Sequence, residues 1–340
     1  MNNISWYTYR PIDTILVRGA EDDSSSNATI FPPPAQTIAG AVRTAFLKER
    51  GITISKYINI NHKADESIYD AIGKAGDPSP FAIIGPLFEM DGNVFVPVPA
   101  TWFYEKDDEK EDKEYIDEHK KTLTINSNII VRSRKVNQND FTNKRIYSSK
   151  PIRVWPEKLE KSIEPLSGYY INIKDLYFTK GQEKITFYQG GYFYSKEERV
   201  GVALYDNRST REGKLYGFSH FRLRNNVRLL FGITKGNILS EKGSLKIGAE
   251  QRFGLYEAFN NDQLKNIETA KSAESYLALS YISCSEENQQ KILAFDRIAY
   301  FGGWDLAKGF HKPMQAYYPP GSVFAEYIEN SIPIGEDKNA

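Results

Sequence analysis

The 340-residue chain contains one cysteine and four histidines, and its 44 lysines and arginines balance 44 carboxylates. The single cysteine cannot form an internal disulfide, and the histidines are too far apart in sequence for a zinc-binding spacing. Glycine-rich phosphate loops and the HExxH and GxSxG motifs of common enzyme classes are also missing. We therefore expect no cofactor and no structural metal.

Long apolar runs are missing as well. The longest, Phe81–Phe88, contains Gly85 and Pro86 and is far shorter than the roughly 20 residues that span a bilayer. Met1–Arg10 has neither the basic start nor the apolar stretch of a secretion signal. The sequence thus predicts a cytoplasmic protein without a membrane role.

The composition is that of a soluble globular protein, with 40% hydrophobic, 26% charged and 13% aromatic residues. Domains commonly have about 100–200 residues, so two domains are expected. Composition and pattern alone indicate only an α+β fold.

Basic and aromatic residues are interleaved in the stretch Glu198–Arg228. From Arg199 to Arg228, two carboxylates, Asp206 and Glu212, accompany the basic residues Arg199, Arg208, Arg211, Lys214, Arg222, Arg224 and Arg228. If Leu215–Arg224 is a strand, Phe221 and Leu223 point to one face, and the other face carries Tyr216, Phe218, His220, Arg222 and Arg224. Rings beside cations are what the binding of single-stranded RNA requires. An ordinary hairpin with a basic solvent face, and with Tyr216 and Phe218 in the core, explains the composition equally well.

The first 51 residues predict a strand, a loop and a helix. Trp6–Arg18 ends in a β-branched run before Gly19, which indicates a buried strand and a turn. Apolar residues four apart, followed by Gly51, indicate a helix after Pro34; they are Ile38, Val42 and Phe46. Gly40 inside this helix costs about 1 kcal/mol relative to alanine, so something is expected to approach it closely. A packed neighbouring element is preferred there over RNA.

The middle of the chain contains a hairpin and two charged segments. Ala82–Pro99 reads as two strands joined at the turn Asp91–Gly92. Glu105–Glu118 carries nine carboxylates and few apolar residues, so we expect a solvated or disordered insertion. Arg132–Arg153 is basic and serves either as an extension of an RNA track or as a linker. A domain boundary is placed near residue 155.

The second half is rich in strands. Four are expected, at Lys184–Tyr194, Val200–Tyr205, Leu215–Arg224 and Val227–Thr234. Tyr276–Ser283 is compatible with a helix or a strand. Gln315–Ile328 reads as a hairpin that turns at Pro320–Gly321.

The run RVGVALYDNRSTREGKLY, Arg199–Tyr216, resembles the central signature of the handle-binding subunit of type III-B (Cmr) CRISPR effector complexes, a member of the RAMP superfamily. Further segments resemble the same family in the same order: PIDTILVRGAE at Pro11–Glu21, FPPPAQTIAGAVR at Phe31–Arg43, IGAEQR at Ile247–Arg252, GGWDLA at Gly302–Ala307 and PPGSVF at Pro319–Phe324. The glycine-rich closing element expected near the C-terminus is absent or divergent at Ile334–Ala340.

This resemblance implies two ferredoxin-like (RRM-like) modules with long insertions, residues 1–155 and 156–340. It also implies a subunit that holds the five-prime handle of the CRISPR guide RNA and docks on the large polymerase-like subunit, beside the backbone RAMP subunits. The RNA-binding residues we predict are Arg18, Gly19, Thr37, Gly40, Arg43, Arg208, Lys214, Tyr216, His220, Arg222, Arg224 and Arg252. The first five are expected to form one site, because the Gly19 turn and the start of the first helix share an edge of a ferredoxin-like unit, where helix N–H groups attract phosphate.

Two other functions remain open. RAMP relatives process CRISPR RNA, so the chain is alternatively a metal-independent endoribonuclease with His220 as general base and Lys214 or Tyr216 assisting. A pure scaffold that holds the polymerase-like subunit, with incidental basic residues, is the third class. We expect a non-catalytic RNA-binding subunit.

Overall fold

The computed structural model describes residues 4–18, 29–58, 66–106, 114–117, 121–135, 154–156, 162–177, 184–236, 238–250, 252–265, 267, 273–305 and 309–334. Within these ranges the protein is a mixed α+β fold, with mostly antiparallel strands and few helices. The helices are α1 Ala35–Glu49, α2 Ile54–Ile58, α3 Glu66–Ile72, α4 Gly190–Phe193 and α5 Glu286–Lys291. The short 3-10 helices are Ser127–Ile129 and Asp262–Leu264.

The strands are β1 Ser5–Pro11, β2 Ile83–Met90, β3 Asn93–Pro97, β4 Trp102–Glu105, β5 Glu114–Asp117, β6 Thr122–Ile125, β7 Ile130–Lys135, β8 Val154–Pro156, β9 Ile163–Pro165, β10 Tyr169–Asn172, β11 Ile185–Gln189, β12 Tyr194–Leu204 and β13 Thr210–Leu223. Those that follow are β14 Val227–Ile233, β15 Lys242–Lys246, β16 Phe253–Ala258, β17 Ser275–Ala278, β18 Ile282–Ser283, β19 Ile292–Ala294, β20 Ala299–Phe301, β21 Trp304–Asp305, β22 Phe310–His311, β23 Gln315–Tyr318, β24 Val323–Phe324 and β25 Ser331–Ile334.

The chain forms two compact units, each assembled from three separate segments. Unit 1 contains Met1–Gly92, Phe193–Asn261 and Ala299–Tyr317, and unit 2 contains Asn93–Tyr192, Asp262–Ile298 and Tyr318–Ala340. This division differs from the single cut near residue 155 that the sequence suggested. The residues beside that cut, 151–153 and 157–161, lie outside the described part of the chain.

Unit 1 contains five antiparallel strands in the order β15-β16-β1-β14-β2. Helix α1 packs on one face of these strands, against β15 and β2. Its apolar residues Ile38, Val42 and Phe46 are buried, as their spacing predicted. The helix ends where Gly51 takes a positive φ of 67°, which confirms the predicted stop.

Unit 2 contains five antiparallel strands in the order β3-β10-β11-β6-β5, and two four-stranded sheets, β8-β7-β4-β9 and β19-β24-β17-β25. An apolar cluster lies against the last of these sheets; it contains Ala278, Ile282, Tyr318, Phe324 and Ile328. Tyr276–Ser283, which the sequence left open, forms strands rather than a helix. Part of the predicted acidic insertion, Glu114–Asp117, also pairs as a strand with β6, whereas residues 107–113 lie outside the described ranges.

Both predicted turns are present. Asp91 and Gly92 have φ of 51° and 80°, the conformation that a two-residue turn between β2 and β3 requires. Gly321 has a φ of 95°, as expected at Pro320–Gly321. The strands on either side of the second turn, however, pair with other strands, so the predicted Gln315–Ile328 hairpin is wrong beyond its turn.

The first strand is shorter than predicted, because β1 ends at Pro11. Its pairing with β14 ends at Tyr9, and its pairing with β16 ends at Pro11. Beyond β1, Ile12 and Asp13 are exposed and Thr14–Val17 are buried, and Ile15 forms an isolated bridge with Phe221. This crossing places Asp13 and Thr14 beside β13, which creates the site described next.

Candidate nucleic-acid interface

A network of three arginines and three carboxylates lies on the surface of unit 1. Asp13 is its centre, because its two carboxylate oxygens accept from Arg222 Nη2 at 2.8 Å and from Arg252 Nη1 at 2.6 Å. Arg199 Nη2 lies 3.7 Å from the same carboxylate. Each of the three arginines thus reaches Asp13, although the three come from separate parts of the sequence.

The other two carboxylates complete the network. Glu197 accepts from Arg199 Nη2 at 2.9 Å and from Nε of Arg222. Glu250 accepts from Arg252 Nη2 at 3.0 Å. Hydrogen bonds from Arg222 and Arg199 lower the pKa of Glu197. Basic residues that the sequence singled out, Arg222 and Arg252, are therefore partly neutralised in the free protein.

The pairing of β12 with β13 explains the position of Glu197. Glu197 lies directly opposite His220, and Arg199 lies opposite Phe218. Arg222 is two residues beyond His220, so Glu197 lies between the two arginines on one face of the hairpin. Glu197 was not predicted as a partner of these arginines, although alternation along β12 places it on the same face as Arg199.

His220 is buried, at 2% exposure, and this contradicts the expectation that it lies on the open face. Thr14 covers it, with Oγ1 3.1 Å from His220 Nδ1. Arg252 Nη1 donates to the same hydroxyl at 2.9 Å, which leaves the hydroxyl proton for Nδ1. Burial, together with the charges of Arg199 and Arg252, lowers the pKa of His220. The folded protein therefore favours the neutral form of this ring.

The alternation predicted for β13 is confirmed at Phe221, Arg222 and Leu223. Phe221 and Leu223 are buried, whereas the Arg222 side chain is 42% exposed. Phe221 stacks on Phe31 at 4.7 Å between ring centroids and meets Tyr194 edge-on at 5.5 Å. The aromatic side of the strand is therefore core, and the basic side faces solvent.

The described residues of the set predicted around the first helix make different contacts. Arg18 lies over the ring of Phe218, 4.5 Å from its centroid, whereas Gly19 lies outside the described residues. Arg43 binds the 74–77 loop and Tyr57 instead, donating to the Asp77 carbonyl at 2.9 Å and to the Tyr57 hydroxyl at 2.7 Å. The guanidinium of Arg43 thus fixes a loop of unit 1.

Gly40 is exposed on α1, and a Cβ there would meet no atom within 4 Å. Thr37, one turn before it, is partly exposed. The packed neighbour preferred from the sequence is therefore absent at Gly40 within the described part of the chain. An exposed glycine in a helix is unfavourable by about 1 kcal/mol, and packing does not explain it here.

The remaining predicted residues lie along the hairpin of β12 and β13. Arg208 occupies its turn with a positive φ of 64°. Tyr216 pairs through its backbone with Gly201, and Lys214 lies two positions earlier on β13. The side chains of Lys214 and Tyr216 lie outside the described part of the structure.

A cleft of about 100 Å³ opens beside the network. Arg10, Arg222 and Arg224 line it together with Asp13 and Asn225, and Val227 is buried at its wall. The sequence did not single out Arg10 or Asp13. Asp13 is the first carboxylate after β1, but only the crossing of the chain over β13 shows what it pairs with.

Neither a metal cluster nor a membrane helix is found among the described residues. No group of three histidine, cysteine or carboxylate side chains in that part of the chain is arranged to hold a metal ion. Likewise, none of the described helices is long and apolar enough to cross a membrane.

Solved structures of the type III-B Cmr-beta complex share this fold. A chain of the type III-B Cmr-beta complex bound to cognate target RNA and AMPPnP matches with a TM-score of 0.51 at 17% identity, over 94% of this chain and 85% of that one. A second structure of Cmr-beta bound to cognate target RNA matches over 95% and 86%, again with a TM-score of 0.51 and 17% identity. A chain of the Csm3-Csm4 subcomplex of the type III-A interference complex gives a TM-score of 0.43 at 14% identity, over 98% and 96%.

No curated protein matches the sequence. The sequence model of the family described as CRISPR-associated protein (Cas_Cmr3), however, matches residues 7–282, which is most of the chain. The protein therefore belongs to the Cas_Cmr3 family of CRISPR-associated proteins.

Proposed function

We propose that this protein is a non-catalytic subunit of a cytoplasmic type III-B interference complex, in which it holds the five-prime handle of the CRISPR guide RNA. The observation that carries the proposal is the arginine-lined surface of unit 1. Arg10, Arg222, Arg224 and Arg252 come from distant parts of the sequence and meet around one cleft and one carboxylate. A guanidinium group can bind one phosphate through two parallel hydrogen bonds. Phosphate contacts dominate the affinity of proteins for nucleic acid.

The strand order of unit 1 supports a ferredoxin-like module. Numbered along the chain, β1, β2, β14 and β16 are the first to fourth strands, and they lie in the order fourth, first, third, second. Helix α1 connects the first two, as in a βαββαβ unit. The second connecting helix of such a unit is replaced by β15, which joins the edge of the sheet.

The position of His220 supports a non-catalytic function. A general base must reach the proton that it removes, directly or through one water. His220 is 2% exposed and its Nδ1 is occupied by Thr14, so a ribose hydroxyl has no access to that nitrogen. We also propose that the protein docks on the polymerase-like subunit and on the backbone RAMP subunits. The family membership supports this part of the proposal.

The test is to incubate the purified chain with repeat-derived RNA in a buffer free of divalent cations. We expect the RNA to be returned intact and bound, with tighter binding than for a scrambled RNA of equal length. Cleavage that disappears in His220→Ala would establish the endoribonuclease instead. Equal binding of the two RNAs would show that the chain does not recognise the handle.

A further inference from the structure

The strands β1, β16 and β15 have two unlike faces. Directly opposed residues share a face, so Tyr9 and Tyr256 lie together on the side of α1, and both are buried. The Tyr256 hydroxyl donates to Glu49 of that helix. Arg10 and Leu255 are likewise opposed, and they lie on the other side.

That other side is open and apolar at its centre. Ile12 is 61% exposed, Phe253 48% and Leu255 57%. The Ile12 N–H donates to the Phe253 carbonyl at 3.2 Å, so the two side chains lie next to each other at the end of β1. Lys246 is opposite Phe253 on β15. Exposed large apolar residues that lie together mark interaction surfaces, whereas single ones need no explanation.

The arginine cleft continues this surface. Arg10 and Ile12 belong to both, since they line the cleft and lie on the open face beside Leu255 and Phe253. One water needs about 10–15 Å³ of such space, so a cleft of about 100 Å³ has room for a phosphate group. Its lining contains three arginines and one carboxylate, which gives a net charge of +2.

We propose that this face of unit 1, made of Arg10, Ile12, Phe253 and Leu255 with the adjoining cleft, is a binding surface for single-stranded RNA, in which a backbone phosphate enters the cleft and a base stacks on Phe253. The inference rests on the proposed function and adds residues to it that are absent from the predicted RNA-binding set. Cations around the cleft complement a polyanion, and a flat sheet face with an exposed ring is a known form of platform for unpaired bases.

The experiment measures binding of the full chain to labelled repeat-derived RNA over a range of salt concentrations. Arg10→Gln should lower affinity and reduce the slope of log K against log salt by about 0.7, the value for one phosphate contact on a single strand. Phe253→Leu keeps an apolar side chain but removes the ring, so it should weaken binding by at least about fivefold without changing that slope. Arg297→Gln and Phe310→Ala replace an exposed arginine and an exposed phenylalanine elsewhere, and both should bind like the wild type.

The outcomes separate this inference from the proposed function. If the wild type binds no RNA, the proposed function fails and this inference fails with it. If the wild type binds RNA and both variants bind equally well, only this inference is overturned. Variants that bind RNA normally but no longer co-purify with the other subunits would overturn it as well, and would assign the face to a protein partner.

Discussion

Asp13 and Arg222 are 209 positions apart in the sequence, yet the carboxylate oxygen Oδ1 of the first lies 2.8 Å from Nη2 of the second. The same carboxylate holds Arg252 through its other oxygen. A surface that binds phosphate must release these arginines from Asp13 or share them with it. In the free protein, the Asp13 carboxylate therefore partly neutralises the positive charge of the candidate binding surface.

Asp13→Asn should consequently tighten RNA binding. The neutral amide removes one negative charge from the network, so the slope of log K against log salt should become steeper, by up to about 0.7 for each additional phosphate that the arginines bind. Stability should change by less than about 1 kcal/mol, because the carboxylate is 47% exposed and its pairs are screened by water. Glu198→Gln, at an exposed carboxylate paired with Lys196, is the control. Weaker binding of Asp13→Asn would show that Asp13 positions the arginines for RNA.

Acid should destabilise the protein partly through Glu197. Its pKa is lowered by the hydrogen bonds from Arg222 and Arg199. A carboxylate with a lowered pKa stabilises the fold above its ordinary value of about 4.3, and this contribution is lost as the pH falls through the folded-state pKa. Free energies of unfolding measured from neutral pH down to about pH 3 should therefore fall less in Glu197→Gln than in the wild type. Parallel curves for the two proteins would contradict the prediction.

His220 makes a second contribution, at a higher pH. Its lowered pKa means that the folded state favours the neutral ring. The contribution is complete above the ordinary value of about 6.5 and is lost as the pH falls toward the folded-state pKa. Denaturant unfolding between about pH 7.5 and pH 5.5 should thus show a smaller loss of stability in His220→Gln than in the wild type. Thr14→Val, which leaves the histidine but removes its hydroxyl partner, should keep the titration.

Substitutions on the two faces of β13 should affect different properties, stability on one face and RNA binding on the other. Phe221→Ala should cost about 3–5 kcal/mol of stability, because it leaves a cavity against Phe31 and Tyr194. Arg222→Ala combined with Arg224→Ala should lower RNA affinity and reduce the salt slope by about 0.7 per lost phosphate contact. Denaturant unfolding and salt-titrated binding of both variants make the comparison. A destabilised arginine variant beside a stable Phe221→Ala would contradict it.

Gly40→Ala should move stability and binding in opposite directions. Alanine removes the helix penalty of glycine, and its Cβ meets no atom, so the unfolding free energy should rise by about 1 kcal/mol. If an RNA backbone approaches Gly40, the same methyl group should weaken binding. Thr44→Ala, one turn later on the same helix, is the matched control for helix propensity. Unchanged affinity in a stabilised Gly40→Ala would remove Gly40 from the site.

Local patterns in the sequence correctly predicted the features that depend on neighbouring residues alone. The burial of Ile38, Val42 and Phe46 follows from helical periodicity, and the turn at Asp91–Gly92 follows from residues that accept a positive φ. The α+β class and the family also followed from the sequence. The burial of Phe221 and the exposure of Arg222 followed from strand alternation.

Contacts between distant segments could not be predicted in this way. Strand alternation places His220 on the same face of β13 as the exposed Arg222. Thr14 nevertheless covers His220, and the two residues are 206 positions apart in the sequence. Asp13 became part of the site because the chain crosses β13 after β1, and Arg10 lines the same cleft from β1. Exposure of a strand face depends on what lies over it, and alternation along the strand carries no information about that.

The division of each unit into three segments has a consequence for synthesis on the ribosome. Unit 1 takes its last segment from Ala299–Tyr317, so it stays incomplete until Tyr317 has been synthesised. A nascent chain of about half this length contains neither unit in full, and incomplete chains of this kind expose apolar surface. Split or truncated versions cut near residue 155 should therefore yield aggregation-prone fragments rather than two independently folding proteins.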